Sequence, residues 1–168
     1  MKCSNCQADV TLTAKFCPSC GTAVTRDQDI KSASEVSPEW LKTILESQGY
    51  KVEIDKYDAN ALTARHDSRP NLMMTVRSNI PLVTIQSVWT LKKPAWGKKT
   101  DFLAALNKAN GTNWLCTAFA TDSMDTLLIS TFIYLTDRLS NRDIAVFLEI
   151  FSDGVVSVIE NSGIKEFA

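Results

Sequence analysis

Four of the chain's five cysteines fall within its first twenty residues, as two Cys-x-x-Cys pairs: Cys3 with Cys6, and Cys17 with Cys20. Two residues between ligands let one tight turn aim both sulfurs at a single point, and two such turns can face each other around one tetrahedral ion. A segment this short cannot bury enough apolar surface to fold unaided. Metal binding, at about 10–16 kcal/mol for structural zinc, supplies what the core lacks. Four thiolates make a closed, structural site with no position left for water or substrate. The expectation for residues 1–24 is therefore one structural Zn2+ held by Cys3, Cys6, Cys17 and Cys20, with Val10, Leu12 and Phe16 as a small apolar cap. Iron in the same four-thiolate cage is chemically possible. A redox pair of the thioredoxin kind is disfavoured, because neither pair sits at a strand-to-helix junction. A disulfide framework would spread its cysteines through a small secreted fold, whereas here the fifth, Cys116, stands alone far downstream.

The stretch Phe16 to Gly21, FCPSCG, resembles the short zinc-ribbon modules found at the ends of bacterial and archaeal proteins. Those modules usually carry glycine after the first pair as well; here Gln7 takes that place. The resemblance implies an accessory that contacts protein or nucleic acid.

Residues 25–37, TRDQDIKSASEVS, are polar and mixed in charge and read as a linker. Residues 38–168 read as one domain. Ser37 is an N-cap candidate, Pro38 suits the first helical position, and Gly49 can close the helix; Trp40, Leu41, Ile44 and Leu45 form its apolar stripe. Alternating strands follow at 52–54, 61–66, 72–76 and 82–91, with turns at 57–60 and 67–71 between them. A second helix is expected from an N-cap at Thr100 to a stop at Gly111, then strands at 114–120 and 126–135. The last helix opens at Ser140 with Asp143 as capping-box partner, and Gly154 within it suggests a bend or close packing. The order α-β-β-β-β-α-β-β-α predicts an α+β fold with helices on an antiparallel sheet. No internal repeat stands out.

Eighteen basic and nineteen acidic residues leave a net charge of −1, which argues against a dedicated nucleic-acid binder. The start has no apolar leader, and the most apolar stretch, Leu127 to Leu135, falls far short of the ~20 residues a membrane helix needs. The expectation is a cytoplasmic protein with no membrane span.

SQGYKVEID at Ser47–Asp55, the strand ending at Trp89 and AALNKANGTN at Ala104–Asn113, together with the element order, resemble the YbjN family over roughly residues 38–168. That resemblance implies a fold like the type III secretion chaperones, small α+β proteins that hold partner polypeptides on exposed apolar surface and are often homodimers. It implies a regulator, brings no catalytic residues, and points to bacteria.

The residues themselves offer little chemistry. His66, at a strand end, reads as solvent-facing; Cys116, among Leu115, Ala118 and Phe119, reads as a buried inert thiol. Nothing in their local sequences supports a nucleophile pair. No glycine pattern makes a phosphate cradle, and Asp122 and Asp125 read as turn formers. The loop KKPAWGKK has the residues to grip an acidic peptide, a phosphate backbone or a membrane surface through Lys92, Lys93, Trp96, Lys98 and Lys99; the alternative is a solvated connection with Trp96 folded over the core. Non-enzymatic adaptor is the reading this supports, with a protein partner and the ribbon as second contact. The other is a nucleic-acid-binding regulator using the ribbon and the Lys92–Lys99 loop.

Overall fold

The computed structural model describes residues 2–3, 5–11, 14–23, 30–77, 79–92, 97–136 and 139–168. Within the larger domain, α1 (Pro38–Ser47) is followed by β2 (Lys51–Ile54), β3 (Ala61–Arg65), β4 (Leu72–Arg77) and β5 (Leu82–Thr90). Then come α2 (Lys99–Thr112), β6 (Thr117–Ala120), β7 (Thr126–Tyr134) and α3 (Asn141–Asn161). A further short pair, β1 (Ile30–Lys31) and β8 (Leu139–Ser140), runs antiparallel just before α1 and α3 respectively. The main sheet has six strands in the order β2-β3-β4-β5-β7-β6, every neighbouring pair antiparallel.

Alternation along the strands decides which face the helices cover. Leu62, Met74, Ile85 and Ile129 point inward and are fully buried with Leu41 of α1, Phe102 of α2 and Phe151 of α3 in one core. Burial of apolar side chains on this scale is the main force holding the domain. Two long-range hydrogen bonds fix α1 against α3: Trp40 Nε1 donates to Asn141 Oδ1 at 2.7 Å and Gln48 Nε2 to the Ala145 carbonyl at 3.1 Å.

The helix ends follow their sequence signals. Ser37 accepts from the Trp40 amide, with Pro38 in the first turn, and Gly49 follows α1 in the left-handed region at φ 91°. At α3, the Ser140 hydroxyl accepts from the Asp143 amide while the Asp143 carboxylate accepts from the Ser140 amide. Gly154 packs closely, its carbonyl accepting from Asn113 Nδ2 at 3.2 Å.

Several boundaries differ from expectation. Part of the segment read as linker is built into the larger domain: Ile30 and Lys31 pair with Ser140 and Leu139, and Val36 is buried in the core. A polar stretch conceals this, because a two-residue strand has no periodicity to read. α2 begins at Lys99, with Lys98 rather than Thr100 before it, and runs one residue past Gly111. β6 starts at Thr117, because the Asn113 side chain takes the amides of Leu115 and Cys116 and holds them out of the ladder. No described helix is long and apolar enough to cross a membrane.

Candidate metal centre and interaction face

Each Cys-x-x-Cys pair folds as a knuckle, and the two knuckles have the same bonds. The Cys3 amide donates to the Ala8 carbonyl at 2.9 Å and the Gln7 amide to the Cys3 carbonyl at 3.0 Å. In the second, Cys17 donates to Thr22 at 2.8 Å and Gly21 to Cys17 at 2.9 Å. Lys2 bridges Asp9 as Phe16 bridges Ala23. This is an internal repeat, carried by backbone geometry and the cysteines alone. The residue after each pair sits in the left-handed region, Gln7 at φ 59° and Gly21 at φ 69°. Gln7 thus adopts the turn that glycine would favour, and the missing glycine leaves the first turn's form intact.

The four sulfurs lie within 4.8 Å of one another. Cys3 Sγ is 3.6 Å from Cys20 Sγ, and Cys6 Sγ is 3.5 Å from Cys17 Sγ. Zinc–sulfur bonds of about 2.3 Å in a tetrahedron set the sulfurs about 3.8 Å apart, so the cage needs only small adjustment to close on the ion. Cys3 and Cys17 are 3% and 2% exposed and pack with Val10, while Cys6 and Cys20 face solvent. The expected cap is only partly realised: Val10 is buried, Phe16 leaves 61% of its surface exposed, and Leu12 lies outside the described residues. Among the described residues the buried cluster is Cys3, Val10 and Cys17, too small to enclose a ring as well.

The surroundings favour thiolate unequally. The Thr22 hydroxyl and then its amide draw Cys20 down to about 6, and the Cys6 and Asn5 amides lower Cys3. At Cys6 the Ala8 amide pulls downward, but the Cys20 and Cys17 thiols and burial outweigh it and push the group up to about 12. Thr22 and Asn5 went unremarked in the sequence. The Thr22 hydroxyl lies 3.2 Å from Cys20 Sγ and accepts from Asn5 Nδ2 at 3.0 Å, tying one knuckle to the other. The Lys2 ammonium, 2.6 Å from Asp9, holds that carboxyl below its usual range.

In the larger domain, the sheet face turned away from the helices is open. Charged residues sit on this face at β2, β3 and β4 (Lys51, Glu53, Arg65, Arg77), but over the other three strands its outward positions read Leu82, Thr84, Gln86, Val88 and Thr90 on β5, Thr126, Leu128, Ser130, Phe132 and Tyr134 on β7, and Thr117 and Phe119 on β6. None of those on β5, β6 and β7 carries a charge. Phe119, Phe132 and Tyr134 are 41%, 53% and 62% exposed, the last two edge-to-face at 5.3 Å. Val88 lies in the same cross-strand row as Leu128 and Phe119, and Met73 faces out on β4. At roughly 200 Å² per ring, the three rings together leave ~300 Å² of aromatic surface in water, divided between the Phe119 row and the Phe132–Tyr134 pair. The β6 edge of this face is closed, because the Asn110 amide both donates to the Ala118 carbonyl and accepts from its amide, at 2.8 and 2.7 Å. Trp114, in the loop before β6, is 91% exposed.

The other candidates hold no chemistry together. His66 Nδ1 accepts from the Ser68 amide at 3.0 Å and the ring lies edge-on to Tyr50; it is half-buried rather than solvent-facing. Cys116 is buried against Asn113 and Gly154, and burial pushes its thiol up to about 11. The partners described for these two side chains do not overlap. Asp125 accepts from Thr121 and Thr126, both at 2.9 Å, and serves its turn. Lys92, Lys98 and Lys99 are exposed; Lys93 and Trp96 lie outside the described residues.

Residues 2–24 match the zinc-ribbon domain family, and with the four sulfurs gathered as they are, the segment holds one structural zinc. The larger domain shares its fold with a solved structure of YbjN from E. coli, a candidate transcription regulator, at 15% identity and a TM-score of 0.58. The match covers 77% of this chain and 93% of that one. Comparison with curated proteins finds no match.

Proposed function

We propose that this protein is a non-enzymatic adaptor or regulator that binds another polypeptide on the open face of its sheet, with the zinc ribbon as a second, accessory contact. One observation carries the reading. The outward positions of β5, β6 and β7 hold no charged residue and place three aromatic rings in solvent. A surface of that kind costs solubility unless something covers it. The closed four-thiolate site fits beside it, since a zinc with four protein ligands has no position for a substrate.

Phe119→Asp/Phe132→Asp in the full chain is the direct test. Specific partners captured by the wild type from the native extract should be lost with this variant, at unchanged helix content and unchanged zinc content. Capture that survives both substitutions, or no specific partner at all, would sink the proposal. A Cys3→Ser/Cys6→Ser variant assayed in parallel tells whether the ribbon contributes to recognition or only accompanies it.

A nucleic-acid-binding regulator is the second reading, favoured by the description of the E. coli structure and by the exposed Lys92, Lys98 and Lys99. Binding to duplex DNA that weakens steeply with salt would support it, because displacing counterions is what such lysines do. Its absence at low salt would end it.

A further inference from the structure

The two knuckles of the ribbon are alike in backbone and share no side chains but the cysteines, and one of the differences falls beside a ligand. Position by position, Thr22 in the second corresponds to Ala8 in the first: each lies two residues past its knuckle's second cysteine, and each accepts the amide of that knuckle's first cysteine. Cys6 and Cys20 are likewise equivalent, and both are exposed. Zinc deprotonates all four sulfurs, so what separates these two thiolates is how each is hydrogen-bonded. A thiolate has no proton to give, and the Thr22 hydroxyl 3.2 Å from Cys20 is then the donor. Asn5 Nδ2, donating to the same oxygen, leaves that hydroxyl's own proton free to point at the sulfur. Cys20 thus receives a hydroxyl, whereas the equivalent residue beside Cys6, Ala8, ends at its methyl group and has none to give.

We propose that Cys6 is the labile thiolate of the zinc centre, the position at which soft electrophiles attack first, and that Thr22, held by Asn5, is the positioning residue that keeps Cys20 from sharing that fate. A hydrogen bond to a thiolate withdraws the electron density that makes it nucleophilic, and outer-shell partners of this kind tune a metal site as its ligands do. Cys3 and Cys17 are shielded by burial, so among the described contacts exposure and the lack of a hydroxyl donor coincide only at Cys6. With a maleimide, the Cys6 sulfur pair forms a carbon–sulfur bond to one alkene carbon and the other takes a proton from water. Cys6 becomes a thioether, which would hold zinc far less well than a thiolate, and no electron is lost from the site. The inference concerns the ribbon alone and stands whatever the sheet face binds.

Zinc-loaded full-length protein treated with substoichiometric N-ethylmaleimide, followed by peptide mapping, reads the order of modification; a chromogenic chelator reads zinc release. Cys6 should be labelled about fivefold or more ahead of Cys20, the factor that one net hydrogen bond is worth. Thr22→Ala should bring Cys20 to parity and speed zinc release, and Thr22→Ser should restore the order. Ala8→Ser should move protection to Cys6 and slow release. Asn5→Ala keeps the hydroxyl but removes its tie, so it should expose Cys20 in part even if Thr22→Ala fails to hold zinc. Equal labelling of Cys6 and Cys20 in the wild type would overturn the proposal. So would a labelling ratio unmoved in Asn5→Ala and Ala8→Ser.

Discussion

The ribbon and the larger domain solve the same problem by opposite means. Both must offset the conformational entropy of an ordered chain. The domain does so with a continuous core running from Val36 to Phe167. Among its described residues the ribbon buries Cys3, Val10 and Cys17 and little else, so its order rests on four metal–sulfur bonds. Where burial holds the fold, stability is spread over many side chains and no single one is indispensable. Where a metal holds it, four residues carry nearly everything, and anything that competes for their sulfurs unfolds the segment.

Substitutions can break this contrast on either side. The largest effect is expected from Cys17→Ser/Cys20→Ser, which removes the roughly 10–16 kcal/mol that metal binding contributes to folding such a module. Amide resonances of residues 2–23 should collapse to unfolded positions while the domain's thermal midpoint stays put. Acid should act in the same direction, because protons compete with zinc for thiolates. Zinc uptake at neutral pH must also release protons, one from Cys6, whose metal-free thiol its neighbours push up to about 12, and few from Cys20, which Thr22 draws down to about 6; calorimetry in buffers of different ionisation heat reads that release.

Phe102→Ala should show the reverse pattern, costing the domain about 3–5 kcal/mol in denaturant unfolding and leaving zinc affinity unchanged. The ring is fully buried and edge-to-face with Phe167 at 5.4 Å. Asn110→Ala is expected to cost about 1–3 kcal/mol, since it leaves both backbone groups of Ala118 without their partner. Opening that strand edge should also raise the tendency to aggregate, measured by light scattering.

The smallest effect has the opposite sign. An added methyl at Gly154 would sit 3.6 Å from Asn113 Nδ2 and from Cys116 Sγ, ordinary contact distances. Gly154→Ala should therefore raise stability by up to about 1 kcal/mol through helix propensity alone. A loss of stability would mean that the α3–Cys116 contact is tighter than these distances imply.

What could be read from the sequence follows the same divide. Long elements with a clear period, such as α3 and β7, were legible because burial imprints a pattern on them. The order of the three helices and six main strands followed from that pattern. The pairing of Ile30 and Lys31 with β8 was not, since two residues carry no period and their partners lie more than a hundred positions away. Asn110 and Asn113 stood inside a recognisable stretch, yet their work is tertiary: one imitates a strand partner for Ala118, the other ties β6's approach to Gly154. In the ribbon the ligands were plain from spacing alone. Thr22 was not, because its hydroxyl gains meaning only when the turn brings it to Cys20 and the opposite knuckle brings Asn5 to it.

The central claim is that one zinc ion holds residues 2–23 independently of the core. Native mass spectrometry of the full chain, paired with amide NMR during stepwise chelation, tests it most directly. One zinc per chain should be found, and its removal should unfold the ribbon resonances while those of Leu41, Ile85 and Phe151 stay in place. A chain that binds no zinc, or a core that loosens as the metal leaves, would contradict the account.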